Sequence, residues 1–400
     1  MLLVLVGTLC CSLCSAQIGT SVETAAPIDS DVGLNVPNLI IKRGYPVETH
    51  PITTEDGYIL TAFRIPSKVT GAPVVLLQHG LLDSAFTWVS NYADESLAYI
   101  LSDAGFDVWL GNSRGNYYGR NHTTFDPNLP APNPFWEFSF DEMAKFDTPA
   151  NIDYIIGATG AKNIGYVGHS QGTMTMFAGG TLNLPQYSKI NLHVGLAPVT
   201  SIANIESKIL VKLAQTIFAE NLIARGKQEF FPKGNKLSTN NILDSLFCRE
   251  VPHLCTIGLD VLCGPTRNLN SSRFQVYIDQ TPAGTSTQNM LHFVQGIIGE
   301  QDYKYFDFGS VAENTAKYGQ ATPPSYDLGK YNVPTAFFSG SHDYMADPKD
   351  VAWTIAQIDN KYIVYQDIQK SYAHLDFVWS PLCKDDIYGK VKSLLQEASQ

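Results

Sequence analysis

Asn163-Ile164-Gly165-Tyr166-Val167-Gly168-His169-Ser170-Gln171-Gly172-Thr173-Met174-Thr175-Met176-Phe177-Ala178 is the stretch that decides the fold. Its centre, residues 168–172, is a G-x-S-x-G pattern. Ordinary Gly and Ser usage yields roughly 0.1–0.2 such matches by chance in a chain this long, so the flanks carry the argument. Asn163–Val167 reads as a strand and Thr173–Ala178 as the start of a helix. A serine on a sharp strand-to-helix turn projects its hydroxyl above a sheet on strained backbone, and glycines two before and two after relieve the crowding. Ser170 is the candidate nucleophile.

A serine hydroxyl needs a base to take its proton. In a strand–elbow–helix arrangement the chain order is Ser, then Asp or Glu, then His. Five histidines follow Ser170: His193, His253, His292, His342 and His374. His374 comes after the candidate strand Tyr362–Tyr365, where a late loop can lean back over the elbow, and is taken as the general base. The orienting acid belongs after the preceding strand, Thr335–Ser339. Asp343 stands in the turn that follows, 31 residues before His374. Asp347, Asp350 and Asp376 compete for that role, although Asp347-Pro348 reads as a helix start. The oxyanion needs backbone donors. The turn Gln78-His79-Gly80-Leu81-Leu82 offers one, taken as Leu81, and Gln171 after the nucleophile offers the other.

Further out, Val74–Gln78, Asp107–Leu110, Ile164–Gly168 and Leu192–Ala197 join the two late strands as short apolar runs. Continuous apolar strands alternating with helices predict an α/β fold with a mainly parallel sheet covered on both faces. Ser139 and Glu142 form a capping box that opens one helix, and Thr148-Pro149 opens another. The rhythm breaks from about 200 to 325. Ile209, Leu213 and Ile217, with Leu210, Ala214, Phe218 and Leu222 beside them, give that segment an amphipathic helix. It is read as an inserted helical cap or lid over residues 201–325, between core parts 17–200 and 326–400; an ordinary amphipathic core helix is the other reading of that pattern.

Of the 400 residues, 44% are hydrophobic and 16% charged, with a formal net charge of −11. A sizeable core follows, and intrinsic disorder is excluded. With no basic run, nucleic acid is not an expected partner. Residues 2–14, LLVLVGTLCCSLC, form an uncharged apolar run before Ser15-Ala16, which reads as a signal peptide over 1–16 and is too short to span a membrane. Secretion is the expected destination, with lysosomal delivery the alternative. Asn121-His122-Thr123 and Asn270-Ser271-Ser272 are glycosylation sequons that fit it. Past the leader remain Cys248, Cys255, Cys263 and Cys383. In an oxidising compartment one or two disulfides are open to them, Cys248–Cys255 first, with free buried thiols as the alternative. Past the leader, no CxxC pair or His/Cys cluster suggests a metal.

These motifs resemble the acid lipase family, which includes gastric and lysosomal acid lipases. The resemblance is carried by Thr54-Glu55-Asp56-Gly57-Tyr58-Ile59-Leu60, His79-Gly80-Leu81-Leu82-Asp83-Ser84-Ala85, Gly111-Asn112-Ser113-Arg114-Gly115-Asn116 and Phe135–Ala144. It continues through the Ser170 elbow, Pro282-Ala283-Gly284-Thr285-Ser286, His342–Pro348 and His374-Leu375-Asp376-Phe377. It spans about residues 35–380 and implies an α/β-hydrolase core with a helical cap. It implies a Ser170–Asp343–His374 triad and oxyanion donors at Leu81 and Gln171. Cys248 and Cys255 resemble the family's cap disulfide, Cys263 its extra thiol, and Cys383 is a departure. The implied activity is hydrolysis of lipid acyl esters, of triacylglycerol or sterol type, at an oil–water or membrane interface, with no cofactor and no protein partner. The other classes are a silent lipid-binding protein on the same scaffold and a soluble carboxylesterase or peptidase.

Overall fold

The computed structural model describes residues 28–215, 228–231 and 252–400. The strands are β1 (Glu48–Thr53), β2 (Tyr58–Ile65), β3 (Val74–Gln78), β4 (Asp107–Gly111), β5 (Asn121–His122), β6 (Ile164–His169), β7 (Ile190–Leu196), β8 (Glu229–Phe230), β9 (Thr285–Ser286), β10 (Thr335–Gly340) and β11 (Ile363–Gln369). Nine of them form one sheet in the order β1-β2-β4-β3-β6-β7-β10-β11, with β5 beside β2; β8 and β9 form a separate ribbon. From β4 to β11 every pairing is parallel, and β1, β2 and β5 pair antiparallel.

The parallel centre follows from composition. Val74–Gln78, Asp107–Gly111, Ile164–His169 and Thr335–Gly340 are buried along their whole length, as strands covered on both faces must be. The expected strands all form, Val74–Gln78 with the ends expected and the others with shifted ends. Tyr362 sits in a 3-10 turn and the last strand starts at Ile363. Ala197 leaves β7 with φ +48°.

The capping box forms: Ser139 N–H donates to Glu142 Oε2 (2.9 Å), and Ser139 Oγ accepts from Asp141 N–H (3.2 Å). The helix expected at Thr148-Pro149 does start there, but it is not a separate helix. It continues Phe140–Glu142 through a π turn, Met143–Asp147. Pro149, which supplies no N–H, follows that widened turn, where the usual i→i−4 ladder is already interrupted.

Strand order places the site. The chain passes from β3 to β4 on one side, then returns to lay β6 on the other side of β3. Such a reversal opens a crevice at the carboxyl ends of the two strands. His79–Leu82 follows β3 there and Ser170 follows β6. Between β7 and β10 the described residues add no strand to the main sheet. They hold the ribbon and the helices Lys208–Ala214, Pro252–Cys263, Phe274–Gln280, Thr287–Ile298 and Val311–Tyr318. In Lys208–Ala214 the expected apolar face is half to fully buried at Ile209, Leu210, Leu213 and Ala214; Ile217, Phe218 and Leu222 lie outside the described residues. So do the 1–16 leader, Cys248 and the side chain of Cys255. Cys263 and Cys383 are free, buried thiols.

Candidate active site

Ser170 occupies the turn between β6 and the helix Gln171–Gly180 with φ +54° and ψ −120°, a region an L residue enters only under strain. Close approach explains the glycines around it. A Cβ on Gly172 would stand 2.4 Å from the Gln78 carbonyl oxygen, and one on Gly168 would stand 2.8 Å from the Gly172 carbonyl carbon. Gly80 has the same cause, since its Cβ would meet Ser170 Cβ at 3.0 Å.

The three separated side chains meet. His374 Nε2 lies 2.7 Å from Ser170 Oγ, and His374 Nδ1 lies 3.0 Å from both Asp343 carboxylate oxygens. All three are buried. Asp343 Oδ1 also accepts from the Met345 and Ala346 N–H groups (2.9 and 2.7 Å), which fixes the carboxylate. The competing aspartates are engaged elsewhere. Asp347 caps the helix Pro348–Gln357 through Lys349 N–H, and Asp350 accepts from Ser201, Asn204 and Gln301. Asp376 accepts from Ala373 N–H (2.7 Å), Thr266 Oγ1 (2.5 Å) and Asn268 Nδ2 (3.2 Å); burial pushes its carboxyl up to about 6.

The Leu81 and Gln171 N–H groups have no hydrogen-bond acceptor among the described residues. Leu82 beside the first adopts φ +58°, and its carbonyl accepts from Ala283 N–H (2.6 Å). Leu82 also packs on a small apolar cluster of Ala214, Phe230, Phe231, Met290, Leu291, Val294 and Ile297. No group of side chains arranged to hold a metal ion occurs among the described residues. Of the sequon asparagines, Asn121 is exposed on β5, and Asn270 is half-buried with its Oδ1 accepting from Ser272.

The profile of a "Partial alpha/beta-hydrolase lipase region" matches residues 36–92, and that of the "alpha/beta hydrolase fold" matches residues 73–181. The chain is 40% identical over 386 residues to gastric triacylglycerol lipase of Homo sapiens, covering 93% of each. It is 41% identical over 382 residues to lysosomal acid lipase/cholesteryl ester hydrolase of Homo sapiens, covering 92% of each. The chain belongs to the acid lipase family. A soluble variant of monoglyceride lipase from Saccharomyces cerevisiae superposes with a TM-score of 0.52 at 14% identity, covering 94% of this acid lipase chain and 99% of that structure, and shares the fold.

Several residues that hold this candidate site together were not singled out as site residues from the sequence. The Cys263 carbonyl accepts from Tyr344 N–H (3.3 Å) and His374 N–H (3.2 Å), and so joins the acid and histidine loops. His169 Nε2 is 3.0 Å from the His374 carbonyl, which can only accept, so Nε2 carries the proton; burial, then the neighbouring His374, push His169 down to about 3. Asn289 Nδ2 donates to Gln171 Oε1 (2.8 Å), reaching the elbow from the helix Thr287–Ile298. Arg114 explains two of the matching segments. It pairs with Asp56 (2.6 and 2.9 Å) and with Asp147 in the π turn (2.8 Å), over the Tyr58 ring.

Proposed function

We propose that the protein is a secreted lipase that hydrolyses lipid acyl esters, of triacylglycerol type and extending to sterol esters, through an acyl-enzyme on Ser170. The single observation carrying the reading is the unbroken line Ser170 Oγ–His374 Nε2–Asp343, beside two backbone N–H groups without an acceptor among the described residues. Family membership supports the substrate class, since the relatives are named for triacylglycerols and cholesteryl esters.

The chemistry follows from the geometry. His374 Nε2 takes the hydroxyl proton as Ser170 Oγ bonds to the ester carbonyl carbon. Asp343 holds the ring with its proton on Nδ1 and stabilises the imidazolium. The carbonyl oxygen, now negative, rests on the Leu81 and Gln171 N–H groups. His374 returns the proton to the leaving alcohol oxygen as the ester C–O bond breaks. Water then repeats the sequence: His374 takes its proton, the acyl–Oγ bond breaks, and free fatty acid and Ser170 are restored. The apolar cluster around Leu82 and Phe230 offers the acyl chain a wall, and segment 201–325 serves as the cap. Among the described residues no helix is long and apolar enough to cross a membrane. Residues 1–16 serve as the secretion signal, Asn121 and Asn270 carry glycans, and Cys248 bridges Cys255 in the exported chain.

The test is turnover of emulsified triolein against short p-nitrophenyl esters, with Ser170→Ala alongside. The expected outcome is an interfacial preference for the emulsion, abolished in Ser170→Ala at unchanged melting temperature. Rates that fall with acyl length, without interfacial preference, would replace lipase by soluble esterase.

A further inference from the structure

The segment Gly111–Asn116 has no part in the catalytic sequence above, yet it converges on one buried side chain. His79 Nε2 lies 3.1 Å from the Ser113 backbone nitrogen, which can only donate. It also lies 3.0 Å from Asn116 Nδ2. The orientation of that amide is fixed, because Asn116 Oδ1 accepts from Tyr118 N–H (2.9 Å). Nε2 therefore receives two donors and carries a lone pair, and the ring proton sits on Nδ1. His79 Nδ1 is 2.8 Å from the Gly80 carbonyl oxygen, which can only accept. Burial pushes this histidine down to about 4, so the ring is neutral and stays in one tautomer near neutral pH.

The Gly80–Leu81 peptide is trans, so its C=O and N–H point in opposite directions. Holding the Gly80 carbonyl on the imidazole leaves the Leu81 N–H pointing away from it. The far side of the turn is held as well, by Ala283 N–H on the Leu82 carbonyl and by Ala85 N–H on Asn112 Oδ1 (2.9 Å). We propose that His79 is a positioning residue: clamped by Ser113 and Asn116, its Nδ1–H grips the Gly80 carbonyl and so aims the Leu81 N–H at the oxyanion. This rests on the acyl-transfer reading above and adds what orients one of its donors.

The test uses the full chain and two side chains that each reproduce half of the imidazole. Gln places an oxygen near the Nε2 position and has no donor near Nδ1. Asn places an N–H near the Nδ1 position and offers nothing at Nε2. Each variant is assayed on p-nitrophenyl butyrate and on its thiono analogue, whose C=S accepts hydrogen bonds poorly. Losing an aimed donor therefore penalises the oxygen ester selectively, which a general loss of packing does not do. His79→Gln is expected to lower kcat on the oxygen ester roughly 10–100-fold, with the oxygen/thiono ratio falling by a similar factor. KM on the oxygen ester is expected to stay within about threefold. His79→Asn is expected to keep both kcat and the ratio within about fivefold. Should His79→Gln not be recovered folded, His79→Leu takes its place as the donorless variant. Equal losses on both substrates, or a collapsed ratio in folded His79→Asn, would overturn the proposal. Ser170→Ala runs in parallel: turnover persisting there refutes the nucleophile itself, an outcome separate from failure at His79.

Discussion

Replacing Asp343 by Asn is the sharpest perturbation of the site, because the structure dictates how the new amide must sit. Asp343 Oδ1 accepts from Met345 N–H at 2.9 Å and Ala346 N–H at 2.7 Å. Only an oxygen can accept both, so the amide oxygen stays there and the NH2 group turns to His374 Nδ1, where Oδ2 stands at 3.0 Å. Nδ1 then has the amide oxygen and the NH2 group each at 3.0 Å; accepting from the NH2 is the pairing expected, and it moves the ring proton to Nε2. That nitrogen is 2.7 Å from Ser170 Oγ and no longer has a lone pair for its proton. The expected loss in kcat is about 10⁴-fold, or ~5.4 kcal/mol of barrier at 1.36 kcal/mol per decade. Stability is expected to change little, because both loop hydrogen bonds survive. The assay is kcat/KM on p-nitrophenyl butyrate beside a thermal melt, with Asp376→Asn as companion. An Asp343→Asn enzyme within about tenfold of the parent would refute the reasoning. If Asp376→Asn were then inactive, the orienting role would pass to that residue.

Gly172→Ala puts a Cβ 2.4 Å from a backbone oxygen of β3 and is expected to cost about 3 kcal/mol by urea denaturation; a cost near zero would contradict the packing at the elbow. Arg114→Lys keeps a charge but loses the fork shared between Asp56 and Asp147, leaving the buried Asp147 and the half-buried Asp56 short of partners, and is expected to cost about 3 kcal/mol in the same measurement. Burial pushes Asp83 up to about 7, with the Ser84 N–H opposing. Its proton is thus held in the fold but released in the unfolded chain from about pH 4 upward, so Asp83's own contribution to stability is expected to fall as pH rises from about 4 to about 7, against the opposite contribution of the buried histidines His79 and His169. Melting temperatures of the parent and of Asp83→Asn across that range isolate this contribution: the variant is expected to gain stability relative to the parent as pH rises, and a difference that does not change with pH would refute the assignment.

What the sequence made legible was whatever local chemistry demands. The elbow glycines, the apolar parallel strands and the capping box at Ser139 each answer a constraint visible within a few residues. The antiparallel entry was not legible. β1 contains Pro51 and exposes most of its side chains, so neither alternation nor β-propensity marks it, although a proline is tolerated on such an edge strand. The reading of Asp343 over Asp347, Asp350 and Asp376 leaned on position in the chain; what separates the four is what each carboxylate touches, which depends on loops far apart in the chain. The Cys263 carbonyl and the trans peptide after Gly80 act through the backbone and leave no mark in residue type.

Contacts from the segment between β7 and β10 reach every loop of the site. Ala283 N–H holds the Leu82 carbonyl beside Leu81, one proposed oxyanion donor, and Asn289 holds the side chain of Gln171, the other proposed donor. The Cys263 carbonyl joins the acid loop to the histidine loop, and Thr266 and Asn268 grip Asp376, two residues past His374. Gly264 shows how closely these parts meet. At φ +106° its Cβ would fall 1.8 Å from the His342 carbonyl, so only a bare backbone fits against the acid loop. A cap that merely covered the substrate would need none of these bonds. The segment between β7 and β10 therefore forms part of the scaffold that sets the positions of the proposed donors and base, and any displacement of it strong enough to break those hydrogen bonds is expected to be felt at Ser170.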